Sequence, residues 1–69
     1  MYRVEMIENG VFYAHNYQHI LINHHAEWVK CWLDDRHPIV YFLPILERFE
    51  IYDNNDKIIF KSLSRKGRR

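Results

Sequence analysis

Cysteine is almost missing from this chain. The single residue, Cys31, excludes an internal disulfide framework and points to a reducing compartment, so a cytoplasmic location is the expectation. Glycine is nearly as scarce: Gly10 and Gly67 cannot build a glycine-rich loop that cradles phosphate, which removes the common nucleotide-binding motifs. No long apolar run occurs either. The longest, Pro38 to Leu46, contains both prolines and falls far below the roughly 20 residues a spanning helix needs. The opening Tyr2-Arg3-Val4-Glu5 has neither the basic start nor the apolar stretch of a secretory signal, so no membrane partner is expected.

Rings are what the chain has in plenty, with five Tyr, four Phe and two Trp in 69 residues. A domain this short buries only about 60% of the surface its unfolded form exposes. Aromatic side chains, each able to remove roughly 150–250 Å² from water, are an efficient remedy. They are also more numerous than so small a core absorbs, and some are expected at the surface, where a ring is good contact material. Charge is divided unevenly. Residues 1 to 64 hold six Lys or Arg against nine Asp or Glu, and Arg65, Lys66, Arg68 and Arg69 then turn the total to +1. The expected organisation is a compact domain over 1–63 and a frayed basic tail over 64–69.

Two hairpins are legible. Asn9-Gly10, between Tyr2–Ile7 and Val11–His15, is the strongest short-range hairpin signal, because both residues tolerate positive φ. A two-residue turn there pairs Ile7 with Phe12, Met6 with Tyr13 and Val4 with His15. Near the other end, in Phe49–Phe60, a four-residue turn over Asp53–Asp56 would set Ile51 against Ile58 and Phe49 against Phe60 on a core face. The opposite face then carries Tyr52 with Lys57, Glu50 with Ile59 and Arg48 with Lys61.

The middle of the chain reads differently. Asn23 has the chemistry of a helix N-cap, and from His24 to Asp35 the residues His25, Ala26, Trp28, Val29, Trp32 and Leu33 fall on one arc at helical spacing. His37-Pro38 would end that helix. Tyr17 to Ile22 reads as extended. Ile39 to Leu43, apolar at every position, reads as a central strand buried on both faces and stopped by Pro44. The resulting expectation is an α+β fold: an antiparallel sheet of about five strands with one amphipathic helix on one face, in the order ββαβββ. Trp32 would sit over Val40 and Phe42.

Several chemistries can be weighed against this frame. Five histidines, His15, His19, His24, His25 and His37, lack the paired short spacings of a structural zinc cage, and they read as surface or half-buried residues. Histidines with Tyr41, Arg48 and Lys61 are the residue types of small metal-free ribonucleases, yet no spacing here brings a base to its proton. Cys31 reads as a small apolar residue. No catalytic residue, metal or cofactor is therefore expected. The basic tail, Arg65, Lys66, Arg68 and Arg69, could hold phosphates, with Lys61 extending the stripe toward RNA or DNA. The favoured expectation is a non-enzymatic protein that docks on a larger protein or ribonucleoprotein through Ile7, Phe12, Trp28, Tyr52 and Ile59, apolar residues set among charges. In size and aromatic density the chain resembles small accessory proteins of phages and mobile elements that block larger machines. A homodimer formed by pairing exposed sheet edges is a further expectation.

Overall fold

A computed structural model describes residues 1–63 and contains seven strands: β1 (Tyr2–Glu8), β2 (Val11–Tyr17), β3 (His19–Asn23), β4 (Trp28–Trp32), β5 (Ile39–Phe42), β6 (Arg48–Tyr52) and β7 (Ile58–Leu63). They form two antiparallel sheets, a four-stranded one in the order β2-β1-β6-β7 and a three-stranded one in the order β3-β4-β5. The expected α+β fold is thus overturned: the described chain is all-β, and its one helical element is a short 3-10 turn at Leu43–Ile45. The basic tail lies outside the described residues, and no helix within them is long and apolar enough to cross a membrane.

The first hairpin has the expected register, with Ile7 opposite Phe12, Met6 opposite Tyr13 and Val4 opposite His15. Asn9 at φ 53° and Gly10 at φ 78° both occupy the left-handed region, which matches the twist of the flanking strands. Val4 and Met6 point into the core, while Tyr13 and His15 share their face but stay exposed, because β2 is an edge strand beyond the cover of the second sheet. At Gln18 the chain bends from β2 into β3 and so passes from one sheet to the other. The Gln18 backbone N–H donates to the Trp32 carbonyl at 3.1 Å, and the Gln18 side-chain oxygen accepts from the Asp34 N–H at 2.8 Å.

The expected helix is a hairpin. Asn23 does what an N-cap does, its side-chain oxygen accepting the Ala26 N–H at 2.8 Å. Glu27 then adopts φ 60°, reversing the chain, and Trp28 pairs with Asn23 across the loop. Along β4 the alternation has period two: Val29 and Cys31 are fully buried, and Trp28, Lys30 and Trp32 face outward. Trp, Val and Cys are all indifferent helix formers, whereas Trp and Val suit a pleated, half-buried surface, so nothing local opposed the strand. Trp32 accordingly does not pack down over Val40 and Phe42; all three lie on the outer face of the same sheet. Nor is β5 a doubly buried central strand. It is an edge, with Ile39, Val40 and Phe42 exposed and Tyr41 turned inward, and it ends before Pro44 as expected.

The last hairpin forms with a shifted register. Its loop has three residues, closed by the Asp53 N–H donating to the Lys57 carbonyl at 2.9 Å, with Asp56 left-handed at φ 61°. The Asp53 carboxylate accepts from the backbone N–H groups of Asn55 (2.8 Å) and Lys57 (3.0 Å), and these bonds hold its pKa below the ordinary value. A bulge at Ile59 shifts the pairing once more, so Phe60 opposes Ile51 and Ser62 opposes Phe49. Phe60 still reaches the core, but Ile58 emerges on the outer face opposite Tyr52.

Between the sheets lie Val4, Met6, Phe49 and Ile51 from the first and Val29 and Cys31 from the second, closed at the margins by Tyr17 and Leu46. The Phe49 ring lies 5.5 Å from Tyr41 and 6.2 Å, edge-on, from Phe60. A hydrogen bond of 2.5 Å joins the hydroxyls of Tyr17 and Tyr41 across the core.

Candidate interaction faces

Because both sheets are covered on one side only, each leaves an outer face, and the two differ in kind. On the four-stranded sheet, β1 presents Arg3, Glu5 and Ile7, and β6 presents Arg48, Glu50 and Tyr52. Glu50 is nearly buried, only 4% exposed, and is held by three donors: Arg48 Nε at 3.0 Å, Arg48 Nη2 at 2.9 Å and the Tyr52 hydroxyl at 2.9 Å. Burial pushes its carboxyl pKa up, but these bonds and the charges of Arg48 and Lys61 outweigh that and leave it lowered. The bond to Glu50 raises the Tyr52 pKa in turn. Arg3 donates to Glu5 at 2.7 Å and to Asp56, and its guanidinium lies 4.3 Å from the centre of the Tyr52 ring. Lys61 approaches Glu50 at 3.9 Å rather than standing free. Each cation of this lattice has its carboxylate.

Ile7, Phe12 and Tyr52, expected as docking residues, do meet on this face, around a hollow of about 150 Å³ shared with Glu5, Arg48 and Glu50. Phe12 is 60% exposed, but Ile7 and Tyr52 are half-buried, and Tyr52 is engaged by its neighbours. Ile59 sits apart in the bulge. Trp28 belongs to the other sheet.

That other face is the more apolar. Its cross-strand rows read Asn23, Trp28, Phe42, then Leu21, Lys30, Val40, then His19, Trp32. Leu21, Val40 and Phe42 are each about half exposed (49%, 54% and 48%), and the two tryptophans and Lys30 are half-buried between them. The His19 ring stacks on Trp32 at 5.2 Å and bonds through Nε2 to Asp34. Lys30 Nζ lies 5.8 Å from the centre of the Trp28 ring, and among the described residues no carboxylate stands within ion-pair distance of it. Of the expected site residues only Trp28 belongs here. Leu21, Lys30, Trp32, Val40 and Phe42 were missed, although Trp-x-Lys-x-Trp carries the signal once it is read with period two.

The residue types of acid–base chemistry are dispersed. Tyr41 lies against the core, where burial and its bond to Tyr17 raise its pKa, while Arg48 and Lys61 are on the outer face of the first sheet. His15, His24, His25 and His37 are exposed, and among the described residues no three His, Cys, Asp or Glu side chains converge as a metal cage would require. An open cleft of about 560 Å³ adjoins the His19–Asp34 pair, lined also by Tyr2, Asp53, Asn54 and Asn55, and the chain amine of Met1 bonds to Asn54 there. Cys31 is a free thiol that burial pushes up to about 12. Comparison with known proteins finds no matching family, no similar curated protein and no similar solved structure.

Proposed function

We propose that this chain is a non-enzymatic docking module that engages a larger protein through the outer face of its three-stranded sheet. One observation carries the reading: Trp28 beside Phe42, Leu21 and Val40 on either side of Lys30, and Trp32 in the next row make an apolar surface around a single cation on the outer face of the sheet. Contiguous exposed apolar area of this sort marks interaction surfaces, and tryptophan is the side chain whose desolvation contributes most at such contacts. The cytoplasm, where the free buried thiol of Cys31 stays reduced, is the proposed location.

The test is capture of host proteins by immobilised wild-type protein, by a Trp28→Ser/Phe42→Ser variant and by Phe12→Ser, each with and without nuclease. The wild type and Phe12→Ser should retain a common partner after nuclease treatment, and the double variant should lose it while remaining folded by circular dichroism. Retention by the double variant would refute the assignment of this face. Loss from all samples on nuclease treatment would instead favour an RNA or DNA partner.

A further inference from the structure

The environment of Lys30 narrows what can cover this face. Its neighbours along β4 are Trp28 and Trp32, and its neighbours across the sheet are Leu21 and Val40, so the position is ringed by apolar side chains, and the ammonium lies 5.8 Å from the centre of the Trp28 ring. The cations of the other outer face are matched with carboxylates: Arg3 with Glu5 and Asp56, Arg48 and Lys61 with Glu50. Lys30 has no such partner among the described residues. An apolar surface laid over it would strip water from the ammonium and supply no counter-charge in exchange, leaving only its approach to the Trp28 ring. A second copy fares no better, since stacking two such faces about a twofold axis near β4 would set Lys30 against itself. Bases of a single strand would need open ring faces, and one side of Trp32 is already taken by His19.

Resting on the docking reading above, we infer that the partner presents an acidic–apolar segment: a carboxylate set against Lys30, flanked on each side by an apolar side chain that meets Trp28 and Trp32. The spacing follows from the strand. Residues four apart on β4 are separated by roughly 13 Å, at about 3.3 Å per residue, so an extended segment matches with apolar groups at its first and fifth positions and Asp or Glu at its third.

The two tryptophans of the chain both lie on this face, and their emission reports its occupation. The probes are three capped peptides, Ser-Phe-Thr-Glu-Thr-Phe-Ser and the same peptide with Gln or Lys in place of Glu, titrated into the full chain to millimolar concentration at low salt. The Glu peptide should bind at least about fivefold tighter than the Gln peptide, the magnitude of a modest ion pair, and the Lys peptide weakest. Lys30→Glu should reverse the order, and Lys30→Gln should level it with circular dichroism unchanged. Equal affinity for all three peptides would overturn the inference and leave the docking reading standing. An emission change only with oligo-dT, or only on raising the protein concentration without peptide, would overturn both, assigning the face to nucleic acid or to self-association. No response to any peptide would overturn the inference alone, since protein capture tests the docking reading independently.

Discussion

The orientation of β4 can be tested through the reactivity of Cys31. In the strand the thiol is fully buried, and burial raises its pKa from an ordinary 9.0 to about 12. A thiol–disulfide reagent attacks through the thiolate. At pH 8 the thiolate population is therefore about a thousandfold smaller than for an exposed cysteine, before any steric shielding is counted. Labelling with dithiobis-nitrobenzoate, followed by the absorbance of the released aryl thiolate, should be slower than in concentrated guanidinium by roughly two orders of magnitude or more, since the greater nucleophilicity of a high-pKa thiolate offsets part of its scarcity and steric shielding adds to the rest. The residual rate should rise with low concentrations of urea, because reaction then proceeds through opening of the sheet. A helix running over 24–35 would place Cys31 at the border of its apolar arc, where the reagent gains access and the rate falls by far less. Native labelling within tenfold of the denatured rate would refute the inward placement of Cys31 and with it the period-two reading that puts Trp28, Lys30 and Trp32 on one outer face.

Three further outcomes follow from the packing and the charges. Phe49→Ala removes a ring that is only 1% exposed, at an expected cost of about 3–5 kcal/mol, most of the stability of a domain this small; urea titration should show an early or absent transition. Glu50 has a lowered folded-state pKa, so its contribution is complete above the unfolded glutamate value of about 4.3 and is lost as pH falls through the lower folded value. Glu50→Gln should thus destabilise the protein at pH 7 and flatten the fall in urea midpoint on acidification below about pH 4.3, and an unchanged acid limb would contradict this. Gly10→Ala meets nothing within 4 Å but must hold φ +78°, so its cost is backbone strain alone, roughly 1–2 kcal/mol by urea titration.

Where local chemistry decided the structure, the sequence was readable. Asn9-Gly10 admits few alternatives because two adjacent residues must take positive φ, and the register of β1 with β2 follows from the turn. The last hairpin shows the limit: Asp53 dictates a turn, but its carboxylate binds the N–H groups of Asn55 and Lys57 and shortens the loop to three residues, and the bulge at Ile59 has no marker of its own. The missing helix is the more instructive case. Asn23 with its acceptor bond to Ala26 is the same local motif at a helix start and in this hairpin loop, so the cap could not distinguish them. Val29 and Trp32 share an arc at helical spacing, yet Val29 and Cys31 share a strand face, and only the four-stranded sheet that buries them decides between the two periods. For the same reason Ile39–Leu43 reads as an interior strand: continuous apolarity signals burial on both faces, whereas β5 is an edge strand whose Ile39, Val40 and Phe42 stay exposed.

The two outer faces then divide according to whether they complete themselves. On the four-stranded sheet, Glu50 draws in Arg48, Tyr52 and Lys61, and Arg3 bridges Glu5 and Asp56, so polar groups saturate one another and the strands are tied crosswise. The three-stranded sheet offers the reverse: apolar side chains that water solvates poorly, and one ammonium whose counter-charge the described residues do not supply. On the proposed docking reading, burying the first group would favour association, and satisfying the second would restrict it to partners that bring a carboxylate to the right place. The core already holds Phe49 and Tyr17 with Tyr41 packed against it, and both indoles lie instead on the outer face around Lys30, where the proposed partner would meet them.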